Sequence, residues 1–471
     1  MTTFYILQKT IEANKGGVNA ASFAHANELQ QLHLGKVHLV HTHPTEMNPQ
    51  ILLSYLREQK GLRPGVDILQ PDDNLSEGER INWLRGLLAD NLTTEDAVLI
   101  NEDKSLFDDV ASYKRALNAL KVIQVLHNSH VDCADEIKKS YRKMFDRQDE
   151  IDRFIVLTKN QQADLISEGW VQPEKLVYLP NVICNVMPVV RSEELKPIIN
   201  VFTRYNDRQK GLTEFLTKVM PDVVEQVPDV QVNFYGAMYK PEESSIAAPF
   251  QKFVRENKLD KNVTINDYVD GDTKAKLAAE TLFTVLPSNY EGMPLAVLEM
   301  SKYGVPTIAY DVKYGPSELI QAGVNGLLVE HGDTAGFVDA MVRLLQQPRY
   351  AGYLGERARE SVMTNYQESS VLRYWQELLG ELTMEMTTET FDENKAEYVE
   401  VTNMMTNTLV RKFTEFDTAY VKNSHGTRVL VVEYTTQDEG QRYMHVLTEH
   451  ESVDMMIAFD PFEKRRFLQA N

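Results

Sequence analysis

Two series of short apolar runs, each alternating with amphipathic runs of helix length, predict an α/β protein made of two doubly wound units in tandem. Three observations carry this reading. The first series runs from Phe4 to Leu179, a pause containing Pro180, Pro188 and Pro197 interrupts it, and a second series runs from Ile198 to Val329. Strands that are nearly all apolar are the mark of a parallel sheet covered on both faces, and parallel strands need crossover helices between them. Two such units in one chain place a cleft between their carboxyl-end faces, where ligands collect.

In the first series, residues 4–7, 37–40, 66–69, 97–100, 122–126, 154–157 and 175–179 read as strands. Residues 20–32, 50–59, 77–88, 106–120, 135–149 and 161–167 read as the helices between them. Residues 180–197 have no clear period and read as an interdomain linker. The second series gives strands at 198–202, 230–234, 263–265, 283–286, 307–309 and 327–329. Its helices fall at 212–227, 250–257, 273–279, 294–303, 316–322 and 335–346, and two more at 352–364 and 369–382 close the unit. Beyond this the character changes. A polar stretch, 389–412, reads as helix, and 418–422, 427–435 and 441–448 read as an antiparallel meander with turns at Asn423-Ser424-His425-Gly426 and Gln437-Asp438-Glu439-Gly440. The expected domains are therefore 1–185, 186–382 and a small α+β appendage, 383–471. A lone meander needs something to pack against, so the appendage is either a layer on the core or an element for homo-oligomerisation.

Composition narrows the function. Hydrophobic residues at 43% and charged residues at 25% fit a folded globular chain. A net charge of -20 argues against nucleic acid as a partner of the whole surface. Two cysteines, Cys133 and Cys184, suggest a reducing compartment rather than a disulfide framework. With no apolar run of membrane-spanning length and no signal peptide, a cytoplasmic location is expected.

The most informative stretch is Pro287-Ser288-Asn289-Tyr290-Glu291-Gly292-Met293-Pro294-Leu295-Ala296-Val297-Leu298-Glu299-Met300. It reads as the end of a buried strand, a loop with a carboxylate and a glycine, and a helix start. Unpaired N–H groups and partial positive charge at a helix start suit a phosphate or diphosphate. Gly292 permits close backbone approach, and Glu291 in the loop and Glu299, roughly 8 Å along a helix that begins near Pro294 at about 1.5 Å per residue, are placed to grip two ends of one ligand. A surface loop followed by a solvent-facing glutamate is the plainer alternative. Near the amino terminus, Gly16 and Gly17 follow the first strand and precede a helix, so they form either a second phosphate-facing backbone or an ordinary turn. Arg204 and Lys210 follow the first strand of the second unit, at a strand end where ligands collect, and are candidate fixed cations for an anionic ligand. Arg208 competes with them, and a solvated charged loop is the alternative. Asp270-Gly271-Asp272 reads as a turn, with a metal-binding Asp-x-Asp as the alternative.

Glu291-Gly292-Met293-Pro294 with Glu299 resembles the Glu-x7-Glu motif of retaining, nucleotide-sugar-dependent glycosyltransferases with the GT-B fold. The resemblance covers roughly the first 380 residues. Tyr310-Asp311-Val312-Lys313-Tyr314-Gly315-Pro316-Ser317-Glu318, then Gly323-Val324-Asn325-Gly326-Leu327-Leu328-Val329, and the opening Lys15-Gly16-Gly17-Val18 are similar to the branch that glycosylates poly(glycerol-phosphate) or poly(ribitol-phosphate) teichoic acids in Gram-positive bacteria. Members of that branch usually carry a β-rich insertion in the amino-terminal domain, whereas here the β-rich material lies at the carboxyl end.

The resemblance implies a UDP-sugar donor, no required cofactor, no metal, and transfer of a hexose or N-acetylhexosamine with same-face substitution, the leaving phosphate oxygen helping to take the acceptor proton. It implies catalytic roles for Glu291, Arg204, Lys210 and His127, the last facing the transferred sugar. Gly16, Gly17, Gly292, Met293, Leu295 and Glu299 would hold the donor, with Tyr268 and Val269 at the uracil base. His130 is an alternative to His127 or an acceptor-side group. Lys138 and Arg142, on a helix that also carries Lys139, Lys143 and Arg147, would meet a polymeric or lipid-linked acceptor or the anionic inner face of a membrane, unless that helix is an ordinary solvated face. Other readings are a catalytically silent partner or chaperone of an active transferase, and a transferase for a glycolipid or small acceptor.

Overall fold

The computed structural model describes residues 2–11, 16–43, 48–132, 134–183, 196–236 and 247–383, and eight strands beyond them. Cys133, Cys184, Lys15, most of the expected linker and most of the expected turns in the appendage lie outside the described residues. The chain divides into two compact units, Met1–Trp375 and Gln376–Asn471.

The first unit holds both parallel layers. In its amino-terminal half, β1 Thr2–Gln8, β2 Gly35–His41, β3 Val66–Leu69, β4 Asp96–Asn101, β5 Lys121–Leu126, β6 Arg153–Val156 and β7 Leu176–Tyr178 form one sheet in the order β3-β2-β1-β4-β5-β6-β7. Every pair is parallel. Winding reverses between β1 and β4, which opens a crevice at their carboxyl ends. In the other half, β8 Ile198–Phe202, β9 Gln231–Tyr235 and β10 Val263–Asn266 form one parallel set, and β11 Thr284–Leu286, β12 Thr307–Asp311 and β13 Gly326–Glu330 form another. The Leu282 N–H donates to the Ile198 carbonyl at 2.8 Å, so β11 runs beside β8 and a second reversal falls there. The two reversals position the loops discussed below.

Side-chain chemistry explains the helices. Ser76 and Glu79 form a reciprocal cap on the helix Glu77–Asn91. Asp333 accepts from the Gly336 N–H at 2.9 Å to start Thr334–Gln346, which buries Phe337, Met341 and Leu344 at helical spacing. Phe215, Phe234, Phe283 and Phe337 fill the core of the second half. The helix Glu368–Thr383 returns to the first half. There the Arg63 guanidinium grips both Glu368 carboxylate oxygens at 3.1 and 3.0 Å, and Trp375 is fully buried.

Two expectations need correction. The helix expected over 135–149 shrinks to Lys139–Phe145. The Asp132 carboxylate accepts from the N–H groups of Ala134 and Glu136, Asp135 is left-handed at φ 58°, and Val131 bridges Ile137, so the chain turns back before it can coil. The second correction concerns the appendage, where 389–412 contains strands instead of helix. Among the described residues after Thr383, β14 Thr387–Glu389, β17 Thr418–Ser424, β18 Thr427–Thr435 and β19 Arg442–Thr448 form one antiparallel sheet in the order β14-β17-β18-β19. The strands β15 Tyr398–Asn403, β16 Thr408–Phe413, β20 Val453–Asp460 and β21 Glu463–Arg466 form another, β16-β15-β20-β21. Tyr398-Val399-Glu400-Val401-Thr402 is aromatic and β-branched with a period of two, which outweighs its polar composition. Among the described residues no helix is long and apolar enough to cross a membrane.

Candidate active site

The loop after β11 carries Glu291, which is buried. Lys210 Nζ donates to Glu291 Oε1 at 2.6 Å, and Gln209 Nε2 lies 3.4 Å from Oε2. Gln209 also accepts from the exposed Arg204 guanidinium at 3.0 Å. These contacts exist because Gly211, at φ 60°, lets residues 204–211 lie on the Pro287 carbonyl, where a Cβ would collide. Arg208 is exposed, and its backbone carbonyl accepts from Asn289 at 3.2 Å. The helix expected near Pro294 runs Leu295–Lys302 with Pro294 as its N-cap.

The amino-terminal half meets this loop directly. Asn128 bridges Gly292, and the Ser129 N–H donates to the Glu291 carbonyl at 3.0 Å. Gly292 has to be glycine here, since a Cβ would run into the His127 carbonyl. Gly16 and Gly17 are the first residues of the helix Gly16–Gln31, and a Cβ on Gly17 would lie 3.3 Å from Leu295 Cδ1. Two helix starts, one from each half, therefore converge beside the Lys210–Glu291 pair. Partial positive charge at both helix starts favours an anion there. Met293 is buried, and its carbonyl accepts from Asn181 Nδ2 at 3.2 Å.

Glu299 lies one helix face further along. Lys274 Nζ donates to it at 2.7 Å; burial pushes the Glu299 carboxyl up, but the lysine overcomes this and holds it below its ordinary range. Glu299 is thus an ionised acceptor. With Leu295, Lys302, Lys60, His25 and Asn181 it lines a cavity of about 120 Å³. Lys60 Nζ reaches the Tyr268 hydroxyl at 3.3 Å, which ties the amino-terminal half to the loop of Tyr268 and the partly buried Val269. Asp270 caps the next helix by accepting from the Thr273 N–H at 2.8 Å.

His127 directly follows β5, and its Nε2 lies 2.6 Å from Glu102 Oε2; the other oxygen of Glu102 lies 2.7 Å from His25 Nδ1. Burial by itself would raise the Glu102 carboxyl, but the two histidines pull it down to about 2. Burial works against charging His25, yet Glu102 raises it above its ordinary value. Burial pushes Glu28 up to about 7 against the pull of His25 and of a hydrogen bond from Trp375 Nε1 at 2.5 Å.

Two acceptor-side candidates are placed elsewhere. His130 is fully buried, stacked on Tyr314 at 5.6 Å and edge-on to Phe145, and burial pushes its imidazole down to about 4. It does not line the cleft because Phe145 and Tyr314 close over it. Arg142 lies over the Trp170 ring, Lys143 pairs with Asp108, and Arg147 pairs with Asp108 and Glu150, so the basic helix is largely engaged within its own half. Lys138 behaves differently. Its ammonium donates to the Ser129 carbonyl at 2.8 Å and sits 4.0 Å from the Tyr290 ring centre, next to Glu291.

Glu102, His25, Gln209, Lys60 and Lys274 were not singled out from sequence. Only Glu102 carried a signal, as a carboxylate directly after an apolar strand run, where doubly wound sheets bind ligands.

The fold places the chain in a class: it has the GT-B fold. Residues 196–347 match the family described as "Glycosyl transferases group 1". The chain is 26% identical over 302 residues to the poly(ribitol-phosphate) alpha-N-acetylglucosaminyltransferase of Staphylococcus aureus, covering 64% of this chain and 58% of that protein. It is 24% identical over 266 residues to the poly(glycerol-phosphate) alpha-glucosyltransferase of Bacillus subtilis, covering 55% of this chain and 37% of that one. The chain thus spans less than two thirds of the length of either relative. Among solved structures, S. aureus TarM in complex with fondaparinux, alpha-GlcNAc-glycerol and UDP superposes with a TM-score of 0.68 at 16% identity, over 80% of this chain and 99% of that one. The pneumococcal O-GlcNAc transferase GtfA in complex with UDP and GlcNAc gives 0.64 at 12% identity, over 81% and 99%.

Proposed function

We propose that this protein is a retaining glycosyltransferase that moves a hexose or N-acetylhexosamine from a UDP-sugar to a hydroxyl of a polyol-phosphate polymer of the teichoic-acid type. The observation that carries the reading is the convergence of the Gly16–Gln31 and Leu295–Lys302 helix starts on the Lys210–Glu291 pair. In this reading the two helix starts and Lys210 take the diphosphate and stabilise the charge that develops as it leaves. Arg204 acts from the same loop and is held by Gln209. Glu291 accepts from hydroxyls of the transferred sugar, His127 faces that sugar from the other half, and Glu299 accepts from the ribose. Tyr268 and Val269 flank the base. The acceptor hydroxyl attacks from the side of the leaving phosphate, whose oxygen takes its proton, so no protein base is required. Similarity to the two polyol-phosphate transferases supports the acceptor class. Lys138, beside Tyr290 and Glu291, is the cation best placed to meet an anionic acceptor.

The test is UDP release by the full chain from UDP-glucose, UDP-GlcNAc and UDP-galactose, with and without poly(glycerol phosphate) or poly(ribitol phosphate). Mass spectrometry would then identify the product, and the anomeric proton coupling would report its configuration. Release stimulated by polymer, with an α-linked product, is expected. No UDP release and no UDP binding with any donor would overturn the reading.

A further inference from the structure

The carboxylate of Glu102 divides its two oxygens between two histidines, with Oε1 toward His25 Nδ1 at 2.7 Å and Oε2 toward His127 Nε2 at 2.6 Å. Glu102 follows β4 directly and is fully enclosed, so water does not compete for either oxygen. An ionised carboxylate accepts hydrogen bonds and donates none. Each histidine nitrogen facing it must therefore carry the proton. For His127 this leaves Nδ1, when the ring is neutral, as an acceptor.

We propose that Glu102 is a positioning residue for His127: it fixes the Nε2–H tautomer and presents Nδ1 to accept a hydrogen bond from a hydroxyl of the transferred sugar. Which ring nitrogen carries the proton is set by the bond the other partner makes. His25 gives the device its rigidity. By holding the second carboxylate oxygen it stops Glu102 from rotating away, and its own ring is fixed edge-on against Trp375 at 5.4 Å. The charged and titratable groups around Glu102 are His25 on the helix Gly16–Gln31, His127 after β5, and Glu28 one turn beyond His25. The pull of the two histidines keeps Glu102 ionised despite its burial. The catalytic consequence of this assignment rests on the proposed function, in which His127 faces the donor sugar. The tautomer itself does not.

The experiment uses the full chain labelled with ¹⁵N. Long-range ¹⁵N–¹H spectra report the protonation of each histidine nitrogen, and the His127 signals are recognised by their loss in His127→Asn. The expected wild-type result is Nε2–H with an unprotonated Nδ1. In Glu102→Gln the side-chain amide can donate to one histidine, so His127 should shift toward Nδ1–H. UDP-sugar turnover should fall roughly 10- to 100-fold, taking as a guide the range found when a group that orients a metal-bound histidine is removed. The Kd for UDP, which lacks the sugar, should stay unchanged. Glu102→Asp keeps the charge and should retain the tautomer and recover part of the turnover. An Nδ1–H tautomer in the wild type overturns the assignment, and this reading needs no Glu102 variant to fold. An Nε2–H tautomer with unchanged kcat in Glu102→Gln overturns it as well. If the wild type turns over no UDP-sugar, the proposed function fails, while the wild-type tautomer still decides for or against Glu102.

Discussion

The two halves of the first unit bring charge to the cleft in opposite ways. In the carboxyl-terminal half, Lys210 and Glu291 sit on two loops at the reversal between β8 and β11, with side chains 12% and 6% exposed. In the amino-terminal half, Glu102 at 0% and His25 at 1% lie behind the surface, and His127, at 9%, is the more exposed of the two histidines that hold Glu102. A loop pair at a cleft wall can exchange partners for a ligand. A carboxylate enclosed with two histidines cannot, because an unpaired buried charge is far too costly. The first arrangement is therefore suited to bind and stabilise, and the second to orient.

The largest effects should come from the loop pair. Lys210→Ala should lower kcat by about 100- to 1,000-fold, the usual cost of removing one group that stabilises developing charge, and Glu291→Ala, which leaves the Lys210 ammonium unpaired and the sugar hydroxyls without their acceptor, should lower it as well. Steady-state UDP release measures this, and near-wild-type rates in both would erase the distinction between the halves. Gly292→Ala tests the seam where the halves meet. Its Cβ would drive the loop off the His127 carbonyl, and displacing reacting groups by about 1 Å can cost about 100-fold. Wild-type activity in Gly292→Ala would mean that the Asn128–Gly292 bridge is not needed for turnover. Glu299→Gln should act mainly on donor affinity. It weakens one charge-assisted bond, so KM for the UDP-sugar should rise about tenfold, equivalent to about 1.4 kcal/mol, with kcat little changed. A loss confined to kcat would place Glu299 with the reacting centre instead of the ribose.

The same contrast decides what could be read in advance. Glu291, Gly292 and Glu299 fall within nine residues, so a local pattern of strand, loop and helix displays them, and Lys210 lies close behind a recognisable strand. The pairing of Glu102 with His25 and His127 joins residues 77 and 25 positions apart, and nothing in the chain near Glu102 names its partners. The doubly wound layers were legible because burial on both faces makes their strands continuously apolar. The appendage was not. Tyr398–Asn403 pairs with Val453–Asp460 far along the chain, so nothing in the sequence next to either strand announces its partner. The short helix after Val131 was overread because spacing alone does not reveal that Asp132 folds the backbone into a turn.

The smallest effect is on stability, and its sign separates the buried cluster from the loop pair. Glu28 is raised by burial to about 7 from an ordinary 4.5. Between those pH values the folded chain keeps a proton that the unfolded chain has released, so stability falls as pH rises through this window. His25 acts in the same direction: its raised value contributes stability at low pH that is lost as pH climbs through it. Glu102, held down to about 2, works oppositely, contributing stability above its ordinary value that is lost as pH falls toward 2. The cluster should therefore be most stable in mildly acidic solution. Glu28→Gln keeps an acceptor for the Trp375 indole but has no proton to release, so the decline in melting temperature between pH 4.5 and 7 should flatten while the loss below pH 4.5 stays. Parallel melting curves for Glu28→Gln and wild type across that range would show that the buried carboxylates do not share protons unevenly with the unfolded chain, and the orienting half would then be electrostatically no different from the loop pair it faces.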